Sequence, residues 1–344
     1  MMYEPGGKMS GKIDGAGVYV LENAMLRVAI TNYGGRIMSV LAPDRHGQRA
    51  DVVLGFDEVA PYATAGGSFG ALLGRCANRI SGGCFTVDGK RYDLSRNSDG
   101  VTLHGGAVGF SKVVWRVETK SLAELMLRYI SPDGDQGFPG ELNAVAHYTL
   151  AEDALRLEFS AVTTKPTPVN LSAHSYFNLA GQGDVLSQQI MIDAAAYLPT
   201  DAKQIPTGEI KPVAGTAFDF QNLMGIGSRI RQADPQLLLA HGYDHCFVLR
   251  GDPDTPAVRA VDPVSGRVLE LFTTQPGLQF YTGNNLNGAV VGRSGAFRQS
   301  DGFAVEAQGF PNAINQPGFP SPILRPGETY RQVITYRFTT ADAF

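Results

Sequence analysis

Cysteine is scarce. The 344 residues hold only Cys76, Cys84 and Cys246, with no C-x-x-C spacing. A disulfide framework and a zinc ribbon are thereby excluded, and free thiols in a reducing compartment are expected. Long apolar runs are also missing, so no membrane-spanning helix and no membrane partner are expected. The first 30 residues show no apolar segment followed by a small-residue cleavage site. That pattern predicts a cytoplasmic protein, or a periplasmic one if a leader was removed. An excess of one charge is lacking too: 29 Lys and Arg face 33 Asp and Glu, and no run of like charges occurs. Nucleic acid, which needs a basic face, is therefore not an expected partner. The chain is equally short of helix-compatible composition. Its 41 glycines and 20 prolines are too many for a helical bundle, because Gly costs about 1 kcal/mol and Pro about 3 kcal/mol inside a helix.

What is present is a hydrophobic period of two. Leu26, Val28 and Ile30 alternate with Arg27 and Ala29; Val113, Trp115 and Val117 with Val114 and Arg116; and Leu125, Leu127 and Tyr129 with Met126 and Arg128. The same holds for Leu155, Leu157 and Phe159, and for Ile334, Tyr336 and Phe338. Such alternation sets one row of side chains toward a core. Asp88-Gly89 between two short strand-like runs predicts a tight hairpin, and Ser265-Gly266 reads the same way. The stretches 110–131 and 141–165 break near Thr119–Ser121 and Ala151–Asp153 into further hairpins. One short helix is predicted near Arg229–Ala240, weakened by Pro235. No repeat, linker or compositional break appears. The expected fold is all-β: a large single-domain antiparallel β-sandwich over 1–344, with its core at about 23–338. Its loops at 66–83, 131–140, 170–183 and 306–328 are the places to look for a site.

Several familiar motifs fail on context. Gly66-Gly67-Ser68-Phe69-Gly70 matches G-x-S-x-G but lacks the strand–turn–helix setting that exposes a nucleophile. Asp133-Gly134-Asp135 starts like a calcium loop, yet Gly137 and Ala144 stand where oxygen ligands are needed. His241 and His245 lead into a strand, where positions four apart lie about 13 Å from one another, too far for one metal. No phosphate-binding glycine loop is present, so no nucleotide cofactor is expected. There remain polar residues in small-residue surroundings: Asn78, Arg79, His104, His174, Asp244 and Glu306. Each alone reads as a hydrogen-bonded structural residue. Glu306 stands out, since it follows the apolar run Phe303-Ala304-Val305 and is expected to project from a strand end into a partly closed space.

Taken together, these segments resemble the aldose 1-epimerase (galactose mutarotase) family. The resemblance runs through GRCANRI at 74–80, LHGG at 103–106, SPDGDQGFPG at 131–140 and NLSAHSYFNLAG at 170–181. It continues through YDHCFVL at 243–249, TTQPGLQFYTGN at 273–284 and VEAQGFPNAIN at 305–315. Cys76, Ala173 and Asn312 depart from the family's usual residues, and none of them is a proposed catalytic position. The resemblance implies a galactose mutarotase-like super-β-sandwich that needs no cofactor and no metal. It implies an enzyme that interconverts the α and β anomers of free aldoses such as galactose or glucose, as a monomer or homodimer. Carried over, it makes His174 the general acid, Glu306 the general base and His104 a second active-site histidine. Asn78, Arg79, His104, Ser175, Tyr176, Asp244 and Gln279 become sugar contacts.

Ring opening needs one proton taken from the anomeric hydroxyl and one given to the ring oxygen, which suits a carboxylate facing an imidazolium. A neighbouring carboxylate, Glu306 or Asp244, is expected to raise the pKa of His174. Two other readings use the same residues. One is a sugar-binding sandwich without catalysis; the other is a glycosidase with Asp244 and Glu306 as its carboxylate pair. An epimerase for phosphorylated hexoses would need more cationic side chains than the Arg75 and Arg79 of the pocket loops.

Overall fold

Alternation in the sequence becomes alternation in burial. In the strand Leu142–Ala151, residues Leu142, Ala144, Ala146, Tyr148 and Leu150 are buried and their neighbours are partly exposed. The computed structural model describes residues 13–97 and 100–341. Residues 1–12, part of the stretch read for a leader, and the outer ends of the domain expected over 1–344 lie outside the described residues.

The largest sheet is antiparallel and has nine strands. Across it run Arg116–Lys120, Glu124–Ser131, Leu142–Ala151, Ala154–Thr163, Tyr330–Thr340, Arg267–Thr273, Val258–Val261, Gln189–Ile192 and Met224–Gly225. A four-stranded sheet (Val18–Glu22, Arg27–Thr31, Arg36–Pro43, Arg49–Asp51) and a five-stranded one contribute to the same apolar core. The five strands are ordered Lys211–Pro212, Ala194–Leu198, Asp244–Leu249, Gly277–Tyr281 and Ala304–Gln308. Leu157, Phe159 and Tyr336 of the large sheet share this core with Val28 and Ile30, and with Phe247, Phe280 and Val305. Each fully buried side chain of this size stabilises the fold by about 1.5–3 kcal/mol. The all-β expectation holds.

The turns follow the sequence with two amendments. Asp88 and Gly89, at φ 50° and 76°, join Cys84–Val87 to Lys90–Asp93 as a two-residue turn. The hairpin at Ser265-Gly266 is also present, but its loop is the longer Pro263–Gly266, closed by the Asp262–Arg267 backbone pair. The helix is Pro235–Ala240, shorter than expected. Pro235 starts it instead of weakening it, because the first helical position needs no N–H and Asp234 caps the next turn through the Gln236 N–H. A second short helix, Pro61–Thr64, escaped the period-two reading.

Segment 170–178 ties the second layer together. Ser172–His174 pairs with Ala71–Leu73, while Phe177 bridges to both Val53 and Phe303. Ser172 Oγ donates to the Ala307 carbonyl at 2.9 Å. The Asn170 carboxamide clasps Gly309 twice, donating to its carbonyl at 3.2 Å and accepting from its N–H at 2.7 Å. These bonds fix the register of the His174 segment against the strand that carries Glu306. Asn170→Ala should lower the unfolding free energy by about 1–3 kcal/mol, the cost of stranding two half-buried backbone groups. Urea unfolding checks this, and an unchanged midpoint would remove the clasp from the account.

Candidate active site

The five-stranded sheet turns one face to the core and the other to a cleft. Asp244 opposes Tyr281, and Gln279 opposes Glu306, so all four side chains share the cleft face. Glu306 lies at the centre of Ala304–Gln308, not at a strand end as expected, and is 2% exposed. His174 ends the strand Ser172–His174 and reaches the same floor. Its Nε2 is 3.5 Å from Glu306 Oε1. Above the pair opens a cleft of about 440 Å³, within the ordinary range for small-molecule sites.

The wall opposite is built from two residues in left-handed conformation. Asn78 and His104, at φ 58° and 50°, grip each other. The His104 N–H donates to the Asn78 carbonyl at 2.9 Å, and the Asn78 N–H donates to His104 Nδ1 at 3.1 Å. Because Nδ1 accepts, the neutral His104 ring carries its proton on Nε2. Burial, with the nearby charges of His174 and Arg79, holds its pKa well below the usual value, so the ring stays neutral. Gly105, at φ 87°, lets the chain leave this turn; a Cβ there would meet the Gly74 carbonyl oxygen at 1.8 Å. The His104 and His174 rings stand edge to face, 5.6 Å between centroids.

His174 stacks on Tyr176 at 4.8 Å, and Tyr176 packs on Phe69 at 4.8 Å. Tyr281 stands edge-on to His174 at 6.2 Å. These rings give the cleft an apolar side, while Asn78, Arg79 and Asp244 give it a polar one. Asp244 is tightly partnered: Gln279 donates to Oδ1 at 2.6 Å and Gln204 donates to Oδ2 at 3.1 Å. Arg79 Nη2 lies 3.9 Å from the same Oδ2.

Most of the residues singled out in the sequence meet here: Asn78, Arg79, His104, His174, Tyr176, Asp244 and Glu306 all line the cleft. Ser175 and Gln279 do not. Ser175 is the odd member of an alternating triplet, so its side chain is buried away from the cleft between His174 and Tyr176. Gln279 stands behind Asp244 and spends its amide N–H there. Arg75 is no pocket cation either. It is buried, and its guanidinium is taken up by Ser131 Oγ and the Ser131, Pro132 and Pro139 carbonyls. Phe69, Tyr281 and Gln204 were missed. Tyr281 was recoverable from the strand period that selects Gln279, whereas Gln204 sits in an irregular turn with no pattern to mark it.

Burial sets the protonation of the floor. It pushes Glu306 well above the usual carboxylate value, with Asp244 adding to the rise and Arg79 opposing it. It lowers His174 to about 4. The sequence-based expectation of a raised imidazole is therefore reversed: removal from water outweighs the neighbouring carboxylate. Both members of the pair favour their uncharged forms. His104, His174 and Glu306 also place their ligand atoms within 4.8 Å of one another, a donor set with the chemistry to bind a metal ion.

A buried acid and imidazole beside a polar wall define a proton-transfer enzyme for a small hydroxylated ligand. The aldose 1-epimerase family model matches residues 17–337. Galactose mutarotase of Bos taurus is 44% identical over 327 residues, covering 94% of each chain. Aldose 1-epimerase of Escherichia coli (strain K12) is 36% identical over 322 residues, covering 92% of this chain and 93% of its own. The crystal structure of galactose 1-epimerase from Lactobacillus acidophilus superposes with a TM-score of 0.83 at 30% identity, covering 94% of each chain. The chain belongs to the aldose 1-epimerase family, and its activity is that of an isomerase interconverting the anomers of a small sugar.

The raised Glu306 pKa makes a stability prediction. The folded protein holds this proton more tightly than the unfolded chain does. The stabilisation is therefore complete below the unfolded value near 4.5 and is lost as pH rises through the folded value. Glu306→Gln removes that loss. Its melting temperature should exceed that of the wild type by a margin that grows from pH 5 to pH 8, as read by thermal melts. A margin independent of pH would overturn the assignment.

Proposed function

We propose that Glu306 and His174 open and close the ring of an unphosphorylated aldose, galactose or glucose being the leading candidates. The observation that carries this reading is the 3.5 Å approach of His174 Nε2 to Glu306 Oε1 on a buried cleft floor. Glu306 takes the proton from the anomeric hydroxyl as the C1–O5 bond breaks and C1=O1 forms. His174 delivers a proton to O5. Rotation about C1–C2 then presents the other face of the aldehyde, and the transfers run backward to close the ring. His104, a neutral donor at Nε2, supports a sugar oxygen beside the pair. Asn78 and Arg79 anchor non-reacting hydroxyls with Asp244.

The proton count of the pair never changes. One proton sits on His174 before opening and on Glu306 after it. The burial that lowers His174 and raises Glu306 favours the second arrangement, the one that belongs to the open aldehyde. Sugar oxygens hydrogen-bonded to the carboxylate and imidazolium return part of the lost solvation when substrate binds.

Two details favour this reading over its rivals. Both oxygens of Asp244 already accept hydrogen bonds, which suits an anchor better than a glycosidase acid. Arg79 is the one Arg or Lys among the described residues lining the cleft, which suits a free sugar better than a phosphorylated one.

Polarimetry tests the proposal. Fresh α-D-galactose or α-D-glucose should lose its initial rotation faster with enzyme, at the same rate after EDTA dialysis. Glu306→Gln should lower kcat by about 10³-fold while sugar still binds. A variant retaining a tenth of the activity would place the base elsewhere, and loss of activity with EDTA would give the His104–His174–Glu306 cluster a metal.

The pH dependence follows from the single shared proton. Acid adds a second proton, to His174, at about pH 4. Base removes the only proton, from Glu306, above the usual carboxylate range. The profile of kcat/KM should be a bell whose two limbs belong to the pair jointly. Measured from pH 4 to 9 with buffer catalysis subtracted, an acid limb centred near the free-imidazole value of about 6.5 would refute it.

A further inference from the structure

We infer that Gln204 is a positioning residue that sets sugar specificity by holding Arg79 and Asp244 apart. The inference rests on the proposed role of those two residues as hydroxyl anchors. Gln204 Oε1 accepts from Arg79 Nη2 at 2.5 Å, and Gln204 Nε2 donates to Asp244 Oδ2 at 3.1 Å. A guanidinium only donates and a carboxylate only accepts, so one orientation of the amide satisfies both. The direct Arg79–Asp244 approach is left at 3.9 Å, beyond a hydrogen bond.

The amide is presented by a rigid turn. Gln204 itself lies at φ 57°, a left-handed conformation that a residue with a Cβ adopts only where its surroundings hold it. Its N–H donates to the Asp201 carbonyl at 2.8 Å, and Asp201 Oδ1 accepts from the Lys203 and Ile205 N–H groups at 2.8 and 3.0 Å. Gln316 Nε2 secures the Pro206 carbonyl at 3.1 Å, and the Gln236 carboxamide bonds both the N–H and the carbonyl of Thr200. A half-buried side chain held by this much scaffolding is placed, not loosely adapted.

Without the amide, opposite charges this close would collapse into a direct pair. Each would then spend its hydrogen bonds on the other instead of on sugar. With it, the pair keeps an acceptor and a donor at fixed separation. Asp244 and Glu306 sit two strands apart, with Gly277–Tyr281 between them. With the two-residue offset in register between Tyr281 and Gln279, that places the two backbones about 11–12 Å apart. A pyranose with C1 at Glu306 therefore turns its far hydroxyls, on C3 or C4, toward Asp244 and Arg79.

The test compares wild type with Gln204→Met, which keeps length and loses the amide, and Gln204→Glu, which keeps the acceptor and loses the donor. Titration calorimetry with D-galactose and its 2-, 3- and 4-deoxy analogues reads binding without requiring turnover. Both variants should bind galactose and 2-deoxygalactose about tenfold more weakly, and the loss should vanish for the 3- or the 4-deoxy sugar. In polarimetry KM should rise in step while kcat stays within about twofold. Unchanged affinity, or the same loss for every analogue, would overturn the inference. Wild-type binding without accelerated mutarotation would instead sink the proposed function and leave the specificity role standing.

Discussion

The structure is organised around keeping an acid and a base dry and facing each other. Neither group would choose that place. A carboxyl and an imidazole removed from water revert to their neutral forms, and a floor that dry works only if nothing in it can move toward solvent. Rigidity therefore has to come from elsewhere. It comes from main-chain register: segment 170–178 is bonded on one flank to the strand Ala71–Leu73 and on the other to the strand that carries Glu306. His174 and Glu306 are held at 3.5 Å by the ladder on one flank and by the Ser172 and Asn170 side-chain bonds on the other, not by their own weak contact.

The same logic divides the labour between the two faces of the five-stranded sheet. Phe247, Phe280 and Val305 anchor one face in the common core. An odd number of residues away on each strand, Asp244, Gln279 and Glu306 stand on the other. The site thus inherits its precision from hydrophobic packing, since a slip of one residue would exchange core for cleft on every strand. Asp244, Gln279, Gln204 and Arg79 then form a polar patch tied together by internal hydrogen bonds, so its groups are oriented before any ligand arrives.

Much of this was legible in the sequence because it is local. Leu155, Leu157 and Phe159 announce a strand and its buried side, and Asp88-Gly89 announces a turn. The misreadings share a cause. Pro235 was judged by its effect inside a helix, when its position relative to Asp234 makes it a start signal. Ser175 was carried over by resemblance together with its neighbours His174 and Tyr176, although adjacency in extended chain means opposite faces. Arg75 was counted with Arg79 because both lie in one loop, yet its guanidinium points into backbone carbonyls. Gln204 could not be found at all, because its importance lies in residues 125 and 40 positions away. Glu306 stood out from its apolar run, but its proposed pairing with His174 came only through resemblance, since neither residue sits in a motif whose chemistry can be read in isolation.

The order of strands in the nine-stranded sheet has a consequence for how the chain is made. The strand Tyr330–Thr340 lies near the middle, pairing with Ala154–Thr163 on one side and Arg267–Thr273 on the other. It is also the last strand in the described chain. On one side of it the hairpins of 116–163 form from near neighbours. On the other, Gln189–Ile192 and its partners form a second half-sheet. During synthesis these halves must wait as separate units with unpaired inner edges, because the strand that welds them emerges after both. Closure of the sheet is thus a late, long-range event. Until it occurs, the inner edges and apolar rows of both halves lack the strand that covers them, and this is the stage at which the chain is most open to pairing with another.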